Sequence, residues 1–394
     1  MLPRKDLFEL PEGVIYLDGN SLGPLPRGTR ELVGKTVSEG WGGHLIRGWN
    51  DDNWMAQPVT LARGIERLIG AAPGSTVLGD TLSIKVHQAL SASLSLRPDR
   101  RVILSDTGNF PSDLYMAEGL IAQLDRGHSL RLVAPDEVSN AIDQDVAVVM
   151  LTHVDYRSGR MHDLEAITRR AQKAGAVMLW DLAHSAGAVP LEIANSECEF
   201  AVGCTYKYIN AGPGAPAFIS IRPDLLERID PALAGWLGHA DPFAFEPEYR
   251  PASSIERFRV GTPAVLQMAA LQGALAIWNK IDINDVRAAC LRLSDLFIQQ
   301  VESHIPELEL VSPRAGSERG SQVSFSHPEG YAIIQALAAV DVIGDFRAPD
   351  ILRFGITPLY LDDRDIIAAV DRLESIMRER AWDHETYKRR QRVT

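Results

Sequence analysis

The stretch AVMLWDLAHSAGAVPLEIANSECEFAVGCTYKYIN, residues 176–210, holds two short apolar runs, and each leads into a polar group. The first run ends on Asp181; the second passes through Tyr206 to Lys207. Apolar runs of strand length separated by helix-length segments indicate a mostly parallel sheet covered on both faces. Ligands in such sheets sit beyond the carboxyl ends of the strands. The polar residues at those ends are therefore where chemistry is expected.

Outward from this stretch the same texture continues. RVILSD (101–106), DVAVVMLTHV (145–154) and APAFISIRP (215–223) also read as strands. DLEAITRRAQKAG (163–175) places Leu164, Ile167 and Ala171 at helical spacing. After residue 262 the pattern changes to long helices (263–281 and 286–303), weaker strands and a final amphipathic helix. The expected fold class is α/β: a large domain of mostly parallel sheet covered by helices, and a smaller α+β domain. The expected boundaries are 1–50 for an N-terminal segment that joins the small domain and the active site, 51–262 for the large domain and 263–394 for the small one.

Composition narrows the function. A chain of 394 residues exceeds the usual limit of one core. A net charge of −12 opposes general binding to nucleic acid or anionic membranes. No apolar run approaches the roughly 20 residues of a membrane-spanning helix, and MLPRKDLFELPEG does not read as a signal peptide. Cys198, Cys204 and Cys290 are scattered and odd in number, so neither a disulfide framework nor a metal site is expected, and a cytoplasmic location fits.

Four strand ends carry candidates: Phe110 and Asp113, Thr152 and Tyr156, Asp181 and His184, Tyr206 and Lys207. Most lysines are solvated. Lys207, however, lies between two tyrosines at a sheet rim, where desolvation lowers an amine's pKa and frees it for Schiff-base chemistry. Asp181 reads either as a helix N-cap or as a carboxylate facing a pyridinium nitrogen. A pyridoxal 5'-phosphate site needs such an acid and lysine on neighbouring strands. GDTLSIKVHQAL (79–90) places Ser83 at a helix start, which is an anion site or ordinary capping. GPGAPA (212–217) precedes a strand, so it fails as a dinucleotide fingerprint.

With these residues in place, the chain resembles the kynureninase family of fold-type I pyridoxal-phosphate enzymes, in the aspartate aminotransferase superfamily. The segments that carry the resemblance are YLDGNSLGPLP, LIRGWN, NFPSD, DLAHSAGAVPL, YKYINAGPGAPAF, GWLGH, RFRVGTPAV and LRFGITPLY, spread in family order over residues 16–360. The resemblance implies hydrolytic Cβ–Cγ cleavage of L-kynurenine to anthranilate and L-alanine, a step of tryptophan catabolism. It implies Lys207 as the Schiff-base lysine, Asp181 at the pyridine nitrogen with Asp113 near the same edge, and Phe110 over the ring. His184 and Thr152 bond polar atoms around the ring; Leu82, Ser83, Tyr206 and Trp236 reach the phosphate. Arg353 clamps the substrate carboxylate, while Ser21 and Trp49 belong to a segment closing over the substrate. Thr262 stands among the cofactor-binding residues, where the family has Asn or Thr, and bears on the choice between kynurenine, which it favours, and 3-hydroxykynurenine as a further substrate. The superfamily's shared sites imply a homodimer.

Three other readings compete. Gly19-Asn20-Ser21-Leu22-Gly23 matches the G-x-S-x-G of hydrolases, yet Pro24 and Pro26 follow where a nucleophile elbow needs a helix. A cysteine desulfurase needs a mobile thiol, whereas all three cysteines read as small buried hydrophobes. An aminotransferase would use the same Lys207 and Arg353, and is set aside on the family segments.

Overall fold

The computed structural model describes residues 2–390. Its centre is a seven-stranded sheet. Edge to edge the strands are Thr76–Leu78, Phe218–Ile221, Phe200–Gly203, Val177–Asp181, Val146–Thr152, Val102–Asp106 and Ser129–Val133. Phe218–Ile221 runs antiparallel to both its neighbours, and all other pairs are parallel. Every residue of Val146–Thr152 and of Val177–Asp181 is buried, as expected for strands covered on both faces. The covering helices include Leu82–Ser95, Pro111–Leu124 and Leu164–Ala174. The last begins at Asp163, whose side chain accepts from the Ala166 amide, and ends at left-handed Gly175.

The C-terminal strands build a separate antiparallel sheet in the order Glu309–Leu310, Gln322–Ser326, Ile351–Gly355, Asp345–Arg347. The N-terminal residues join this part, because Ile15–Tyr16 pairs with Val342–Ile343. Helix Val265–Trp278 packs against the helices Thr29–Lys35 and Gln57–Ile69. Among the described residues no helix is long and apolar enough to cross a membrane.

The GNSLG turn docks onto the loop that carries Lys207. The Gly23 amide donates to the Tyr206 carbonyl at 2.8 Å. A Cβ on Gly23 would collide with Asn210 and the Lys207 carbonyl, and one on Gly19 with Tyr360. Both glycines are there for close approach.

Candidate active site

Parallel pairing sets Thr152 opposite Asp181, and Asp181 opposite Val202. This register brings three strand ends to one level, and the residues just past them face the same crevice. Lys207 Nζ lies 2.8 Å from His184 Nε2 and 5.8 Å from the centre of the Tyr206 ring. Burial lowers the Lys207 pKa, and it lowers that of His184 with help from the neighbouring lysine.

Asp181 is 2 % exposed and accepts from the Ala183 amide at 2.8 Å. Asp113, 1 % exposed in the first turn of Pro111–Leu124, stands beside it. Burial raises both carboxyls, and the Asp181 charge adds to the rise at Asp113. Asp113 Oδ2 is buried without a hydrogen-bond donor. The two carboxyls lie within hydrogen-bond reach, so a shared proton leaves the pair one negative charge, which a cationic group alongside would complement. The Thr152 hydroxyl donates to Asn109 Oδ1 at 2.5 Å, and Phe110 meets Tyr156 edge to face at 5.1 Å.

Toward the other end, a cavity of about 340 Å³ is lined by Ser21, Leu22, Thr81, Leu82, Tyr206 and Ala217 among others. Helix Leu82–Ser95 opens into this region with no side-chain cap from Thr81. Its first N–H groups are thus left for an anion. The Ser83 and Ser112 hydroxyls are 2.8 Å apart.

Arg353 lies deeper, 1 % exposed. Its Nε and Nη2 hold both oxygens of Asp345 at 2.7 and 2.5 Å. Nη1 donates to the Tyr156 carbonyl at 2.5 Å, and Nη2 also donates to Ser21 Oγ at 2.7 Å. Ser21 in turn donates to Asp345 at 2.6 Å. Burial opposes the charge on Asp345, but the Arg353 hydrogen bonds prevail and keep its pKa low. Arg347 adds a second guanidinium, 2.9 Å from Asp345 and one-third exposed. Asp18 is moved toward its neutral acid by burial and by the Asp345 charge. Two guanidiniums against one ionised carboxylate leave one positive charge, which suits a substrate carboxylate.

The chain is 46 % identical to kynureninase of Pseudomonas fluorescens over 401 residues, covering 100 % of this chain and 96 % of the relative. The kynureninase of Burkholderia pseudomallei strain 1106a matches with the same identity and coverage. The chain belongs to the kynureninase family. Residues 286–373 also match the model of the kynureninase C-terminal domain. In fold it is similar to the cystine C–S lyase C-DES with glycine covalently linked to its PLP cofactor, at TM-score 0.82 and 19 % identity over 94 % of this chain and 99 % of that one. A cysteine desulfurase from Thermococcus onnurineus NA1 superposes with TM-score 0.81 at 17 % identity, over 96 % and 99 %. The protein is accordingly a pyridoxal-phosphate-dependent hydrolase acting on L-kynurenine.

Against that chemistry, the structure brings Lys207, Asp181, Asp113, His184 and Thr152 together, with Phe110, Tyr206, Leu82 and Ser83 around them. The paired acids suit a protonated ring nitrogen, the amine an aldehyde, and the open helix start a phosphate. Ser21 has Arg353 and Asp345 as its partners, with no imidazole, so its hydroxyl is not activated for attack. The three cysteines are all buried. Three expected residues are not joined to this crevice. Trp49 packs on Trp54, Trp236 is 40 % exposed and meets Phe243, and Thr262 is exposed.

Sequence reading passed over Asn109, Asp345, Arg347 and Asp18. Asn109 follows a strand end directly and was findable by the rule used for its neighbours. Asp345 and Arg347 occupy a short strand in GDFRAP, where nothing local marks them as partners of Arg353.

The acid pair makes a stability prediction. Asp113 is raised in the fold above its unfolded value, so folding loses free energy as pH rises and the proton leaves. Cofactor-free Asp113→Asn protein should therefore melt a few degrees above the native chain at neutral pH, with the gain fading toward about pH 4. Its affinity for pyridoxal phosphate should fall. Equal melting temperatures across the pH range would show that Asp113 ionises at no cost.

Proposed function

We propose that Lys207 carries the cofactor and serves as the proton carrier in cleavage of L-kynurenine, with Asp181 and Asp113 at the ring nitrogen and Arg353 at the substrate carboxylate. Pyridoxal phosphate, when bound, supplies the electron sink for bond cleavage. The observation that carries the reading is the lysine with lowered pKa in one buried crevice with two raised carboxyls.

The residue roles follow from their surroundings. Burial lowers the Lys207 pKa, which eases release of a proton from Nζ and suits it to carry one to and fro. His184, kept neutral by burial and by the neighbouring Lys207, holds Nζ in place through Nε2. Asp181 keeps a proton on the ring nitrogen, Thr152 and Asn109 fix the crevice floor, and Phe110 covers the ring. Leu82, Ser83 and Tyr206 hold the phosphate. Arg353, fixed by Asp345 and Ser21, orients the α-carboxylate, and Arg347 supplies the charge left over.

We assign Trp236, Thr262 and Trp49 to a site shared between two copies. The chain exposes Trp41, Leu45, Ile46, Phe243 and Phe245, all at least 61 % accessible, around the same segments. So much exposed apolar surface fits an interface. The protein is then a cytoplasmic homodimer whose substrate is plain kynurenine, the preference resting on Thr262.

One preparation tests these points. The purified protein should show visible absorbance from bound pyridoxal phosphate, release fluorescent anthranilate from L-kynurenine, and sediment at twice its 43.3 kDa chain mass. A fluorophosphonate should leave Ser21 unlabelled. A colourless protein with labelled Ser21 would overturn the reading.

A further inference from the structure

Lys85 is 0 % exposed, and none of the chemistry above uses it. Its ammonium has three donors and three acceptors from three parts of the chain. It donates to Asp80 Oδ2 at 3.2 Å, to Gln88 Oε1 at 2.9 Å and to the Phe258 carbonyl at 3.2 Å. Gln88, also 0 % exposed, donates to the same carbonyl at 3.2 Å. Asp80 precedes helix Leu82–Ser95, and Phe258 ends the turn Ile255–Phe258 that leads toward Thr262.

Burying a charge costs several kcal/mol, and this ammonium offsets that only through the three acceptors gathered around it beside the helix start. What Lys85 does control is the turn before the helix. Gly79 has φ +148° and Asp80 φ +54°, a left-handed conformation that a non-glycine residue adopts at a cost. The turn is pinned to the sheet at Ala217, through Gly79 N to Ala217 O at 3.0 Å and Ala217 N to Asp80 O at 3.1 Å. Ala217, Thr81 and Leu82 all line the cavity at the helix start. The Asp80 side chain is held by Lys85 alone among the hydrogen bonds of the described residues.

We propose that Lys85 is a positioning residue for the cofactor's phosphate: it holds Asp80, and through it the strained turn, so that the uncapped N–H groups of the helix face the anion. The inference rests on the assignment of Leu82 and Ser83 to the phosphate. Through Phe258 the same ammonium ties this turn to the segment bearing Thr262.

The test compares pyridoxal 5'-phosphate with pyridoxal, which lacks the phosphate, by absorbance titration of cofactor-free protein. Lys85→Met strands Asp80, Gln88 and the Phe258 carbonyl, so it should melt below the native chain, and its folded form should bind pyridoxal phosphate about tenfold more weakly, a loss of the size of one hydrogen bond to a charged group. Its affinity for pyridoxal should stay within about twofold, below the energy of any such bond. Unchanged pyridoxal phosphate affinity, or pyridoxal weakened by the same factor, overturns the proposal. If Lys85→Met does not fold, Asp80→Asn at the part-exposed partner is read by the same two titrations. Ser83→Ala separates the two levels. If only Ser83→Ala weakens phosphate-dependent binding, the role of Lys85 fails and the phosphate assignment stands. If no variant moves it, the phosphate assignment fails as well.

Discussion

Lys207→Ala protein should lose turnover of L-kynurenine by about four orders of magnitude, the upper end of what one proton-carrying group contributes, and should lose its visible absorbance. Among the groups in the crevice, Lys207 alone offers an amine. His184 cannot substitute, since burial holds it neutral and its Nε2 is the contact of the missing ammonium. Tyr206 cannot either, because burial raises its hydroxyl far above neutrality. Added methylamine should restore a small part of the rate by filling the vacated volume. A variant that stays coloured and turns over at a near-native rate would remove Lys207 from the chemistry and take Asp181 with it.

Arg353→Lys should raise KM for kynurenine about 10- to 100-fold, the worth of one charge-assisted hydrogen bond, with a smaller change in kcat. Four of the five guanidinium N–H groups of Arg353 are engaged by Asp345, Tyr156 and Ser21. That engagement fixes the plane of the fork, and an ammonium cannot reproduce it. Lysine is the better variant than methionine, because removing the charge would strand Asp345 at a cost of about 3–5 kcal/mol to the fold. Arg347→Gln is the companion, with a KM rise of about three- to tenfold for a more exposed pair. Were the two effects reversed, the carboxylate would belong to Arg347, and Arg353 would serve only to hold Asp345.

Much of this site could be read from strand ends. Asp181 and Lys207 each close or follow an apolar run, and a parallel sheet must bring such positions to one edge, so their meeting was legible. Ser129–Val133 was not, because an edge strand with Ser129 and Arg131 lacks the continuous apolar run that marks a buried one. Asp345 was hidden for another reason. Its partner Arg353 lies on the neighbouring antiparallel strand, directly opposite it in register, and no sequence spacing announces a pairing across a turn.

The sequence by itself determined the parallel α/β core and singled out Lys207 and Asp181 as the candidate amine and acid, because apolar periodicity and the strand-end rule act locally. It also carried the family, through segments spread over residues 16–360. Only the tertiary structure decided that Ser21 braces Arg353, that Asp113 shares a buried space with Asp181, and that Lys85 clamps the turn beneath the helix start. Each of these depends on burial and on partners distant along the chain, and a charge's cost and purpose are set by what surrounds it once water is gone.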